Sequence, residues 1–258
     1  MYGYAPYAAL WGSITGDESL NLDAVLTQLE LIYLNARDPT TGLVKHGYQL
    51  SRNASWADAL TGASPIIWGR SLAWYTVGVV DALELAATRS PGVVDTVTYR
   101  SLQALLRDIV TAEVEAVDKS VSETGRYGIW QVVDQPGAPG NFIESSAGAL
   151  ITFALAKSLR LGHMRDMHDR VSVLVQKMHQ DLVKQFVGHN QQGTLDYFGT
   201  SAMASLHQLK VDYAVCGNCS LSFHCFNKSE CVLVLCQLVG HEKQLNRHER
   251  IRFGESRD

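Results

Sequence analysis

Connection length constrains the fold of this chain more tightly than any single motif. Six stretches carry apolar residues at helical spacing, and the links joining them alternate strictly between long and short. Residues 20 to 36 set Leu22, Val25, Leu26, Leu29, Ile32 and Tyr33 on one stripe, which Pro39 and Gly42 of the DPTTG turn then end. A second helix is expected from Ser64, as N-cap with Pro65 at the first helical position, to about Thr88. A third spans roughly 93 to 117, a fourth about 144 to 161 before Gly162, and a fifth about 166 to 187. MYGYAPYAALWG reads as a helix already in progress at residue 1, and short strands fit only around 126 to 133 and 193 to 200.

The segments 37 to 63, 118 to 143 and 188 to 206 are long, whereas the links between them run roughly 4 to 8 residues, as expected of antiparallel neighbours. In an up-and-down array every second connection lies at the same end. All three long loops should therefore gather there and form one pocket mouth, with His46, Trp68, Arg70 and Trp130 facing a common cleft.

The richest chemistry lies between His46 and Tyr75, in HGYQLSRNASWADALTGASPIIWGRSLAWY. Arg70 offers a planar fork of donors that fits a carboxylate with two parallel hydrogen bonds, and Trp56, Trp68 and Trp74 offer flat apolar faces suited to sugar rings. Together they point to an acidic sugar. The alternative is that Trp68 and Trp74 are helix core residues and Arg70 a surface ion-pair partner. Asp58, beside Trp56, is the catalytic candidate, because burial against an indole would raise a carboxyl pKa toward that of a working general acid. Its competing role is to brace the turn by accepting backbone amides. Asp134 and Glu144 read as structural, the first in a turn and the second complementing a helix dipole; His163, His168 and His179 read as solvated.

Composition narrows the alternatives. A formal net charge of -4 and the absence of a Lys/Arg run argue against a nucleic-acid partner, and no apolar run is long enough to span a membrane. No secretory leader is visible, so localisation stays open between cytoplasm and export. All five cysteines fall after residue 215, where CGNC followed by His224 and Cys225 only superficially suggests zinc, since paired ligand spacing is lacking. Neither a metal nor another cofactor is expected. A helical-repeat scaffold fits poorly, because the loops are unequal and no fixed period recurs.

WADALTGASPIIWGRSLAWY, preceded by ARDPTTGLVKHGY and followed by GIWQVVDQPGAPGNFIESSAGALITFALAKSLRLG, resembles the unsaturated rhamnogalacturonyl hydrolases of glycoside hydrolase family 105, relatives of the unsaturated glucuronyl hydrolases. The resemblance runs from Met1 to about Leu206, through GTLDYFGTSAMASL. It implies an all-α chain with the (α/α)6 barrel fold, of which about half is present here. It also implies removal of 4,5-unsaturated galacturonyl residues from pectin fragments, with an unsaturated uronate oligosaccharide as partner. In that reaction an aspartic acid protonates the vinyl-ether double bond, water adds, and the resulting hemiketal opens to release the aglycone. Arg70 matches the arginine that holds the uronate carboxylate, Trp68 and Trp74 its aromatic flank, and His46 a histidine of the same pocket; Trp130 joins them from the next long loop.

Departures from the family pattern qualify that expectation. The family's acid/base aspartate belongs to a Trp-x-Asp motif directly before the helix that starts here at Met1, so the chain reads as a truncated member lacking it. The domain is expected to end at residue 206, with a divergent cysteine-rich tail over 207 to 258. The alternative to an enzyme is a catalytically dead sugar-binding or interaction protein derived from the family. Unpartnered inner helix faces should leave apolar patches larger than monomers usually tolerate.

Overall fold

The computed structural model describes residues 2–201 apart from 190, 192 and 193. The division at 206, the cysteine-rich tail and the CGNC segment lie outside the described residues. Six α-helices make three hairpins: α1 (Tyr4–Thr15), α2 (Leu22–Ala36), α3 (Gly69–Arg89), α4 (Val97–Thr124), α5 (Ser145–Arg160) and α6 (His168–Phe186). A small antiparallel pair follows, β1 (Val187–His189) with β2 (Leu195–Tyr197). Helix α3 packs against both α1 and α5, while α2, α4 and α6 back the three in turn, giving an inner and an outer layer. This is half of the six-hairpin ring of an (α/α)6 barrel.

Small residues let the inner helices approach closely. Ala5, Ala8, Ala9 and Gly12 of α1, Ala73, Gly78 and Ala82 of α3, and Ala147, Gly148 and Ala154 of α5 are all buried. A Cβ on Gly12 would stand 2.3 Å from the Leu20 carbonyl oxygen, so the turn from α1 into α2 requires glycine there. Larger side chains fill the space between layers, with Leu29, Leu72, Leu83, Leu102, Leu106, Ile109 and Leu155 fully buried. Each such side chain contributes about 1.5–3 kcal/mol by leaving water. Between α3 and α5, Lys157 pairs with Asp81 at 2.6 Å and with Glu84 at 2.5 Å.

Helix ends follow local chemistry where a cap is present. Asn21 accepts from the amide of Ala24, Thr96 from Tyr99 and Glu144 from Ala147. Helix α4 continues past the expected 117 to Thr124 and ends where Gly125 takes a left-handed conformation. The start of α3 corrects the sequence expectation. Ser64 and Pro65 do not cap it; the helix begins at Gly69 with Trp68 as N-cap. Residues 63–68 are instead non-helical and bonded to earlier residues of the same loop and to the next loop, the amide of Ser64 donating to Gly47, Ile66 accepting from His46 and Ile67 from Val133. Those tertiary hydrogen bonds outweigh a local capping preference of about 1 kcal/mol. At 126–133, where a strand was expected, only isolated bridges form, Trp68 with Val132 and Trp130 with Ile143.

On the side of α1 turned away from α2 and α3, Tyr7, Trp11 and Ile14 are exposed, and the rings of Tyr7 and Trp11 stack at 6.0 Å. His163 departs from its solvated assignment. It is buried beside Tyr99, its Nδ1 is 3.1 Å from Gln103 Nε2, and burial lowers its pKa. His168 is exposed, and His179 is half-buried with a buried Nε2 that finds no partner among the described residues.

Glu113 of α4 is fully buried against α3, where Thr76 Oγ1 donates to Oε1 at 2.5 Å and Oε2 has no partner among the described residues. Burial pushes its carboxyl up to about 8. Because the folded chain holds this proton more tightly than the unfolded one, the contribution is fully present below the unfolded value near 4.5 and is lost as pH rises toward 8. The shift corresponds to up to about 5 kcal/mol. Glu113→Gln should therefore gain stability over the parent progressively between about pH 5 and 8, with a plateau above. Denaturant titrations across that range test this; a stability difference independent of pH would show that Glu113 is not protonated in the fold.

Candidate active site

The loops joining the hairpins at one end, residues 37–68 and 125–144, meet each other and the segment 198–201. The amide of Gly69 donates to Gln131, that of Gln131 to Phe142, and that of Ser145 to Gly199. Gln131 Nε2 donates to Ser201 Oγ at 2.9 Å, and Tyr197 OH donates to the carbonyl of Ser145. Gly69 marks the tightest point, since a Cβ there would lie 2.7 Å from the Trp130 carbonyl oxygen and 3.1 Å from Ala147 Cβ. Glycine thus lets the start of α3 lie directly on the neighbouring loop and on α5.

Arg70 follows as the second residue of α3, its side chain 28% exposed. Nε donates to Ser146 Oγ at 2.9 Å; Nη2 donates to Glu144 Oε1 at 2.7 Å and to the Ser201 carbonyl at 2.5 Å. These bonds occupy the hydrogens on Nε and Nη2, so the edge of the guanidinium that would give two parallel bonds to a ligand is already engaged. Nη1 has no partner among the described residues. One helical turn on, Trp74 lies on the same face of α3, 37% exposed, with the Tyr2 ring 4.4 Å away at 45°. Arg70 and Trp74 are the sequence-predicted pair that the fold places together on an accessible face.

Two of the other aromatic candidates, Trp68 and Trp130, are too buried to serve as sugar platforms. Trp68 is 1% exposed and packs with Ile66, Val132 and Phe142 in a small cluster beneath the loops. Trp130 is 6% exposed, with Nε1 donating to Ser120 Oγ on α4. Both anchor the loops to the helices through apolar burial of a large ring. Trp56 is half-buried in its loop. His46 is half-buried as well; its Nδ1 lacks a partner among the described residues and burial lowers its pKa, so the imidazole is neutral at pH 7.

Asp58 is corrected from catalytic candidate to turn brace. It is exposed, and its Oδ1 accepts from the amides of Leu60 and Thr61 and from Thr61 Oγ1. Those bonds hold its carboxyl below the usual range, the opposite of what a general acid needs. The same turn occurs at Asp38, which accepts from Thr40, Thr41 and Thr41 Oγ1. Gly42 and Gly62 both sit at φ +75°, and their amides donate to the carbonyls of Asp38 and Asp58. Asp-x-x-Thr-Gly is thus one structural unit used twice. Asp134, in contrast, has its pKa raised by burial and by nearby Asp38, and a buried Oδ1 without a partner among the described residues; Lys119 bonds its backbone carbonyl instead.

Glu144 is the residue whose weight the sequence hides. It caps α5 as expected, yet its fully buried carboxylate also receives Arg70, Ser146 Oγ and the amide of Ser201. Its only sequence signal was an acid between an apolar run and a small-residue helix. The pairing with Arg70 across 74 positions left none. Among the described residues no cluster of His, Cys, Asp and Glu could hold a metal, and no helix is long and apolar enough to cross a membrane.

The family model described as Glycosyl Hydrolase Family 88 matches residues 1–220. Protein Atu3128 of Agrobacterium fabrum and the 24.9 kDa protein in picA locus of Rhizobium radiobacter are each 34% identical over 162 residues, 62% of this chain and 62% of theirs. A solved glycoside hydrolase from family 105 of C. acetobutylicum aligns with TM-score 0.68 and 25% identity, over 79% of this chain and 52% of its own. A possible member of the GH105 family from Salmonella enterica aligns with TM-score 0.59 at 21% identity, over 80% and 47% respectively, a likeness of fold. The chain thus spans less than two thirds of the curated relatives' length and about half that of the solved structures.

If Asp58 only braces its turn, Asp58→Ala should lower the chain's stability through the loss of three accepted hydrogen bonds, with no effect on sugar binding. Chemical denaturation and calorimetric titration of the same sample check both halves. A stable variant with impaired sugar binding would return Asp58 to the site.

Proposed function

The chain belongs to Glycosyl Hydrolase Family 88, and from that premise we propose that the protein acts as a glycosidase on rhamnogalacturonan fragments ending in a 4,5-unsaturated galacturonyl residue. The reaction class is hydration of the vinyl-ether double bond. The observation that carries the reading is the placement of Arg70 and Trp74 one turn apart on an accessible face of α3, where the loops meet. The two N–H groups of Nη1 face the ligand carboxylate, and the indole of Trp74, backed by Tyr2, supplies an apolar surface for the ring. His46, in the 37–68 loop and with its pKa lowered by burial, contributes no positive charge at pH 7.

A second reading, binding without turnover, is favoured by one specific observation. The carboxylate beside Arg70 is Glu144, already bonded by four donors, and Asp58 is held ionised by its turn. Neither is free to deliver a proton to a double bond. Loss of the ultraviolet absorbance of the conjugated double bond, followed with unsaturated galacturonyl-rhamnose, separates the two readings.

For either reading, calorimetric titration should show the uronate bound in preference to its neutral methyl ester. Arg70→Lys should weaken uronate binding by about 1.5–3 kcal/mol, because a lysine ammonium cannot both keep the partners of Nε and Nη2 and reach the ligand. Equal affinities of parent and Arg70→Lys for the uronate would remove Arg70 from ligand recognition.

A further inference from the structure

A guanidinium that only had to meet a ligand would not need an unscreened counter-charge against it. Glu144 provides one. Its carboxylate has no solvent exposure and lies 2.7 Å from Arg70 Nη2, so its charge acts on Arg70 with little attenuation by water. It cannot step aside when a ligand arrives. The amide of Ala147 holds Oε2 at 2.6 Å at the first turn of α5, the amide of Ser201 holds Oε1 at 2.7 Å, and Ser146 Oγ lies 2.9 Å from Oε1 and 2.8 Å from Oε2. Arg70 is fixed in turn, because Ser146 and the Ser201 carbonyl take its remaining Nε and Nη2 hydrogens.

We infer that Glu144 is a positioning residue that sets the anion selectivity of the Arg70 site. It exposes a single guanidinium nitrogen to the ligand and competes with the ligand's carboxylate for Arg70's charge. The inference rests on the reading that Arg70 faces a uronate, and goes beyond it by naming the group that limits that contact. Preference for a uronate over its neutral ester is then weaker than an unpaired guanidinium would give, and relieving Glu144's charge raises it. A residue serving only as helix cap and brace would, on substitution, lower stability and weaken charged and neutral ligands alike.

Two substitutions in the full 258-residue chain separate these roles. Glu144→Gln keeps an acceptor beside Arg70 but removes the charge. Glu144→Asp keeps the charge and remains a favoured N-cap, but is one methylene too short to hold both Ala147 N and Arg70 Nη2. Calorimetric titration with unsaturated galacturonyl-rhamnose and with its methyl ester gives the ratio of acid to ester affinity. That ratio is expected to rise about tenfold in Glu144→Gln and about threefold in Glu144→Asp, even where melting temperature and the affinity for both ligands fall. An unchanged ratio in a folded variant, whether or not both affinities fall, overturns the inference. If Glu144→Gln does not fold, the ratio in Glu144→Asp decides alone. A parent chain that binds neither ligand, with both variants equally silent, removes the assignment of Arg70 itself and this inference with it.

Discussion

The buried carboxylate of Glu144 is the contact on which the geometry of the candidate site depends. It receives a side chain from α3, a backbone amide from the first turn of α5 and a backbone amide from Ser201 beyond β2. These segments are distant in sequence, and Arg70 joins the same three through its own bonds to Glu144, Ser146 and the Ser201 carbonyl. A lone carboxylate inside a protein carries a desolvation cost of several kcal/mol, which four well-placed donors offset. The arrangement is all-or-none: with one donor missing the rest are less well compensated, so the loops at this end hold one relative position. Arg70 is therefore held where it is by the same contact that neutralises part of its charge.

What the sequence made legible was what local periodicity and chain reach determine. Six helices, their order and the gathering of loops at one end follow from apolar spacing and from alternating link lengths, and the resemblance supplied the ring into which three hairpins fit. Boundaries failed where long-range hydrogen bonds decided the matter. Ser64 and Pro65 form a sound helix start in isolation, yet the amide of Ser64 donates to Gly47, and the segment stays non-helical until Gly69. Helix α4 overran its expected end because Val121 and Ser120 continue the buried side well beyond 117 until Gly125 permits a left-handed stop.

At the site, residue type alone could not say which aromatic rings face solvent. Trp68 and Trp74 lie six positions apart and look alike in sequence, but Trp68 precedes the helix and turns into the cluster of Ile66, Val132 and Phe142, while Trp74 lies on the helix face left open. Asp58 was tempting because it neighbours an indole. The repeat of its turn at Asp38 was the available counter-signal: two Asp-x-x-Thr-Gly stretches sharing one hydrogen-bond pattern point to backbone geometry, and the exposed, amide-bonded carboxylate of each follows from it. Glu144 was placed correctly at the helix start, but periodicity carries no information about a partner on another hairpin.

Glu113 and Glu144 show how far environment, not residue type, fixes what an acid does inside this fold. Both have no solvent exposure, and both lie between helices of neighbouring hairpins or layers. Glu113 meets one hydroxyl and is otherwise without a hydrogen-bond partner among the described residues, so burial dominates and pushes its carboxyl up to about 8. Glu144 meets a guanidinium, a hydroxyl and two amides, and its first neighbour along the chain begins a helix whose positive end points at it. The neutral acid belongs to the packing of α3 against α4, where no ligand can reach it. The paired carboxylate lies directly behind the partly exposed guanidinium, close enough to a ligand to alter its binding without touching it. The same side chain thus serves the core in one place and tunes the site in the other, and the number of donors around it decides which.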